Sequence, residues 1–157
     1  MVHPAAHIIA ERDYPAQLLE TAGEMIERGR YEVSVVTSQM ACEISVERVL
    51  RAYFKHQPVM HLESAIEDLL PSYNLANDKV RNLYTALTND RVSQAHFWSE
   101  YKTVVSIRNK AVHAGMRVQE SQAQLVLRVC ILVVKHLGRV ALEVPLPAAK
   151  PSERDAN

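Results

Sequence analysis

Apolar residues recur at alternating steps of three and four along most of the chain, the period of amphipathic helices, and no stretch alternates in the two-residue rhythm of a half-buried strand. The pattern predicts a first helix from Pro15, a favoured first-turn residue, to near Gly29, with Leu18, Leu19, Ala22, Met25 and Ile26 as its apolar face. A second helix is expected from about Arg30 to Lys55. It carries Val33, Val36, Met40, Leu50 and Phe54 on a stripe expected to face the core, and Val35, Cys42, Val46 and Val49 on another. Two apolar sides imply a central position with neighbours on both.

Pro58 and Pro71 bracket a short helix around Leu62 to Leu70, and Asn77 is a cap for another from Asp78 to about Leu87. Ser93 is the expected cap of a long helix that turns Phe97, Tyr101, Val104, Val105, Ala111 and Val112 inward and ends near Gly115. The last helix, about Glu120 to Leu142, is apolar nearly all round, leaving Gln124, Arg128, Lys135 and Arg139 as a narrow polar strip. These elements predict an all-α protein, an antiparallel helical bundle over 14–143. It follows a partly ordered arm at 1–13 and precedes a Pro-rich, polar tail at 144–157 that is expected to be disordered.

Composition narrows the function classes. With 157 residues, 48% hydrophobic and 23% charged, the chain suits one folded domain. Eighteen Lys and Arg against eighteen Asp and Glu leave no global positive field, so any contact with nucleic acid has to be local. Cys42 and Cys130 are far apart in sequence and form neither a disulfide framework nor a zinc spacing, which fits a reducing compartment. No signal peptide is visible at the N-terminus. The longest apolar-rich run, Leu125 to Leu137, is broken by Arg128 and Lys135 and is shorter than the ~20 residues needed to cross a bilayer. A soluble, cytoplasmic protein with no membrane partner is expected. His3 and His7 have a metal-compatible spacing but flank Pro4 near the terminus, so no metal site and no cofactor are assigned.

At about 100° per residue, Phe97, Tyr101, Val104, Arg108 and Ala111 share one face, which sets a guanidinium inside an apolar stripe. Glu43 and Glu47 lie within the stripe of Val36, Met40 and Leu50 on the second helix. Unpaired burial of such ions costs several kcal/mol each, so the economical packing brings Arg108 to Glu43 or Glu47. Asn109 and His113 stand one turn apart beside Arg108. A rigid fork of donors suited to phosphate thus lies near an imidazole able to move a proton close to neutrality. The same residues have a plain structural account, an interior ion pair and a histidine favoured by the carbonyl end of its helix.

Arg108-Asn109-x-x-x-His113, late in a long helix and followed by Gly115 and another long apolar helix, resembles the Arg-x4-His motif of HEPN (higher eukaryote and prokaryote nucleotide-binding) domains. The second helix, with Ala41 and Glu43, is similar to the second helix of those domains, and the resemblance covers roughly Pro15 to Leu142. It implies a bundle that forms a homodimer through the motif helices, so that two Arg and two His line one cleft. It also implies a metal-independent endoribonuclease in which the RNA 2'-hydroxyl attacks the adjacent phosphate. By the resemblance His113 transfers the proton, Arg108 steadies the phosphate, Asn109 supports it, and Glu43, or less directly Glu47, orients Arg108. Lys102, Lys110 and Arg117 flank the motif as candidate RNA-guiding cations. The expected partners are RNA and, for a toxin or antiviral defence role, a cognate antitoxin or defence protein. The alternative is a non-catalytic HEPN module that binds RNA or a nucleotide, or mediates dimerisation. Gly115 stands where HEPN toxins partnered by minimal nucleotidyltransferases often carry a Tyr, a departure from that toxin-antitoxin mechanism.

Overall fold

Gly29 and Gly115 adopt φ of 68° and 60°, the left-handed conformation that costs glycine least, and each ends a helix at the point where the chain turns back. After Gly29 the turn is closed by two backbone bonds, Gly29 N–H to Ile26 at 2.9 Å and Arg30 N–H to Met25 at 2.8 Å, which satisfy carbonyls left open by the helix end. The computed structural model describes residues 14–145; the expected N-terminal arm, with His3 and His7, and the tail beyond Pro145 lie outside the described residues.

Six helices account for the described chain: α1 (Tyr14–Glu27), α2 (Tyr31–Phe54), α3 (Glu63–Leu69), α4 (Asp78–Thr88), α5 (Trp98–Ala114) and α6 (Glu120–Leu142). Short 3-10 turns at Met60–Leu62 and Val92–Gln94 precede α3 and α5, and no strand occurs among the described residues. The architecture is an all-α helical bundle. Its centre is α2, packed against α1 and α6, with α5 closing on α2 and α6 and with α4 resting on α2. No described helix is long and apolar enough to cross a membrane.

The core is built from Val35, Cys42, Val46 and Val49 of α2, Tyr84 of α4, Tyr101 and Val104 of α5, and Val126, Val133 and Leu137 of α6. Each fully buried aliphatic side chain contributes about 1.5 to 3 kcal/mol of transfer free energy. Cross-links are polar as well: the Tyr53 hydroxyl donates to the Val140 carbonyl at 3.2 Å, and the Val118 N–H donates to Glu32 Oε1 at 2.9 Å. Cys42 and Cys130, both buried and free, meet across the α2–α6 seam, where Cys42 Sγ lies 3.9 Å from the Cys130 carbonyl oxygen. Burial, and the Cys130 thiol beside it, push the Cys42 thiol well above its usual pKa.

Three expectations are corrected. The stripe of Val33, Val36, Met40, Leu50 and Phe54 does not face the core along its whole length: Val33 is 48% and Met40 43% exposed. The side buried in its place includes Ser34, Ser38, Ala41 and Ser45, one line at 100° per residue, whose small side chains admit a close neighbour. Ser45 satisfies its hydroxyl within the helix, donating to the Ala41 carbonyl at 2.8 Å. On α5, Val112 is 47% exposed rather than inward. Ser93 caps nothing, because it sits in the 3-10 turn and α5 begins only at Trp98, after Phe97. Asn77, by contrast, is the α4 cap: its Oδ1 accepts from the N–H of Lys79 at 3.0 Å and of Val80 at 3.4 Å.

Candidate nucleic-acid interface

The buried side of α5, Tyr101, Val104, Val105 and Ile107, fixes which residues its opposite side gives to solvent. Lys102, Ser106, Asn109, Lys110 and His113 recur at helical spacing on that outer side and line a shallow groove of about 520 Å3. Asn109, Lys110 and His113 are exposed. Every residue lining the groove belongs to α5, so it has a floor and no facing wall. His113 stands in the last turn of the helix, where the carbonyl end of the dipole favours a cation.

Arg108 is turned away from His113 by about 140° around the helix and does not line the groove. It is half-buried, and its Nη1 donates to Asn109 Oδ1 at 3.2 Å. Its Nε is buried with no hydrogen-bond partner among the described residues. The Arg108 charge reaches Glu43, whose carboxyl is pushed above its usual pKa by burial while the guanidinium opposes that shift. The expected direct pairing with Glu43 or Glu47 is not formed. Glu47 pairs instead with Arg51 of its own helix at 2.9 Å, and Arg51 continues to Glu67 of α3 at 3.1 Å. One turn of i, i+4 spacing gives Glu47 a local partner that no rearrangement of α5 has to supply.

Of the three flanking cations, Lys102 and Lys110 line the groove, whereas Arg117 lies outside it, close enough to Glu32 to lower that carboxyl's pKa. The larger cause of that lowering is the Val118 N–H bond. Trp98 is half-buried, its ring 5.5 Å from that of Tyr101, with the Arg81 guanidinium 5.3 Å from its centroid. Among the described residues no group of three or more His, Cys, Asp or Glu is placed to hold a metal ion.

No family model, curated protein or solved structure matches this chain.

A second polar constellation has no sequence signature. Asp90 follows Asn89, a left-handed residue with φ of 58° at the end of α4, and its Oδ2 accepts from the Tyr84 hydroxyl at 2.7 Å. The same oxygen lies 2.7 Å from His136 Nε2 on α6, and Arg139 Nη2 lies 3.0 Å from His136 Nδ1. A guanidinium has only donors, so the tautomer that satisfies both contacts carries its proton on Nε2 and accepts at Nδ1. Residues 46 positions apart form this cluster, and only helix packing reveals it.

Proposed function

We propose that this protein is a HEPN-type endoribonuclease that cleaves RNA without a metal ion, in a toxin or antiviral defence setting. The observation that supports this reading is the gathering of His113, Asn109, Lys102 and Lys110 on one solvent-open groove of α5. In the reaction the 2'-oxygen forms a bond to phosphorus and the bond to the 5'-oxygen breaks, leaving a 2',3'-cyclic phosphate and a 5'-hydroxyl. One imidazole takes the 2'-hydroxyl proton and a protonated imidazole gives one to the departing oxygen. Asn109 and the two lysines hold the phosphate, and Arg108 steadies the charge that builds on its oxygens.

A single chain presents one His113, and its Arg108 points elsewhere. A second copy related by a two-fold axis supplies both the missing wall and the second imidazole, and it lets the Arg108 of one chain serve the His113 of the other. Glu43, whose carboxyl feels the Arg108 charge, is the positioning residue in this scheme; Glu47, held by Arg51, is the weaker candidate. RNA is the substrate, and an antitoxin or another defence protein is the class of partner that would restrain the activity.

The deciding experiment incubates purified protein with mixed RNA in excess EDTA and analyses the product ends. Cleavage leaving 2',3'-cyclic phosphates is expected. Activity lost with chelator and restored by a divalent ion would overturn the mechanism. The separation of Arg108 from His113 favours a second reading, a non-catalytic HEPN module, for which RNA is bound and recovered intact.

A further inference from the structure

We propose that the groove between the entrance of α5 and the C-terminal half of α6 binds a small phosphomonoester with an apolar body, a ligand of mononucleotide size. This site does not rest on the ribonuclease reading. Phe97 at its floor is 11 residues before Arg108, roughly 16 Å along the chain of the helix at 1.5 Å per residue.

The groove measures about 410 Å3, inside the roughly 300 to 1,000 Å3 of small-molecule pockets. Ala95, Phe97 and Leu132 give it an apolar floor, and His96, Lys135, His136 and Arg139 give it a nitrogen-rich rim. An apolar body with a few convergent polar groups is the usual composition of such a site.

The rim is positive in a chain whose overall charge is zero. Lys135 and Arg139, one turn apart on α6, are both exposed, and no carboxylate lines the groove. Two nearby acids are already engaged, and Glu143, one turn beyond Arg139, is not part of the lining. Asp90 sits behind His136 and takes the Tyr84 hydroxyl as well, while Glu100, one turn beyond His96, is held by Arg128 through bonds of 2.7 and 3.3 Å. An anion entering the groove thus meets cationic donors and no competing carboxylate.

Arg139 is also pre-positioned. Its Nη2 is tied to His136, which is tied to Asp90 and through it to Tyr84, a chain anchored in the core. The remaining N–H groups of the guanidinium stay open for phosphate oxygens, and a donor ordered in advance loses less freedom on binding. Phe97 holds the arrangement laterally, with the His96 and His136 rings each 5.4 Å from it and edge-on. The His136–Asp90 bond on its own has a structural account; the two exposed cations over an apolar floor, with no carboxylate in the lining, are what a phosphorylated ligand explains.

The test titrates the full chain with a nucleoside 5'-monophosphate, the unphosphorylated nucleoside and inorganic phosphate, followed by calorimetry and backbone amide shifts. Saturable binding of the monophosphate is expected, with shifts at residues 95–97 and 132–139, weaker binding of phosphate and none of the nucleoside. Lys135→Gln and Arg139→Gln, both at exposed positions and checked by thermal melting, should each weaken binding roughly tenfold, the loss of one charge-assisted contact. Lys55→Gln, at an exposed position after α2 that lines neither groove, should leave it unchanged. No saturable binding, or binding indifferent to Lys135→Gln and Arg139→Gln, overturns the site. Inorganic phosphate bound as tightly as the monophosphate overturns the ligand class.

Discussion

His136 and Asp90 meet at 2.7 Å, and the Tyr84 hydroxyl shares the same carboxylate oxygen, so one acid pins the end of α4 to α6. Tyr84 is fully buried and its hydroxyl is pushed far above its usual pKa by burial and by Asp90, so it stays a donor at every accessible pH. Replacing Asp90 by Ala leaves two donors without an acceptor. A loss of about 1 to 3 kcal/mol is expected in urea unfolding, and Tyr84→Phe, which leaves Asp90 bonded to His136, should cost less. Equal stability of wild type and Asp90→Ala would show that the cluster is solvent-satisfied.

Glu32 carries a pH dependence of definite sign. The Val118 N–H holds its carboxyl below the usual range, so its stabilisation is present above the ordinary carboxylate pKa and is lost as pH falls through the lowered value. Glu32→Ala is expected to cost about 1 kcal/mol or less at pH 7, because solvent screens the partly exposed carboxylate, with the difference from wild type fading in acid. Melting curves across that range check it.

Glu43 has the opposite sign. Burial raises its carboxyl pKa more than Arg108 lowers it, so its contribution is largest below the ordinary pKa of Glu and is lost as pH rises through the raised value. Glu43→Gln is uncharged at pH 7 and is expected to be as stable as wild type or more stable there. A clear destabilisation at pH 7 would mean that attraction to Arg108 outweighs the cost of burial.

His113→Ala separates chemistry from folding. The residue is exposed, so the melting temperature should hold, while the proposed RNA cleavage should fall by roughly 100- to 10,000-fold, the usual contribution of acid-base catalysis. Unchanged cleavage by the variant would remove His113 from the reaction.

Val112 tests the proposed two-chain site. It is 47% exposed and adjoins the C-terminal end of α5, where Val33, Val36 and Ala111 share a small apolar depression with it. Val112→Asp should shift a dimer to monomer in sedimentation and remove cleavage with it, with the melt of the chain otherwise preserved. A wild-type particle that is monomeric while cutting RNA rules out the shared cleft.

Helix ends governed by local chemistry were legible in the sequence. Asn77 and the left-handed glycines Gly29 and Gly115 act through their nearest neighbours, and each stands where pattern reading places it. Burial direction was less legible. On α2 hydropathy assigns Val33 and Met40 to the core, yet Ser34, Ser38 and Ser45 are buried, because close helix approach rewards small size over apolarity. Of the candidate site, the shared face of Asn109 and His113 follows from i, i+4 spacing, as do the positions of Lys102 and Lys110. The choice of Arg108 partner did not follow, since Asn109 beside it and Arg51 beside Glu47 offer local contacts that compete with any pairing across helices. The Asp90–His136 cluster was illegible for a different reason: it joins a turn to a distant helix, and neither segment has a periodicity that points at the other.

The meeting of Cys42 with Cys130 gives the bundle an internal clock for its own breathing. A thiol with no path to solvent and a raised pKa is a poor nucleophile in the closed chain, so an alkylating reagent reaches Cys42 only when α2 and α6 part. The rate of trapping then reports how often that seam opens, and with fast reclosing its ratio to the rate for a free thiol gives the opening equilibrium constant. Because α2 and α6 form the central seam of the bundle, that constant approaches the one for global unfolding, whereas a cysteine placed on α3 would register a smaller, local opening.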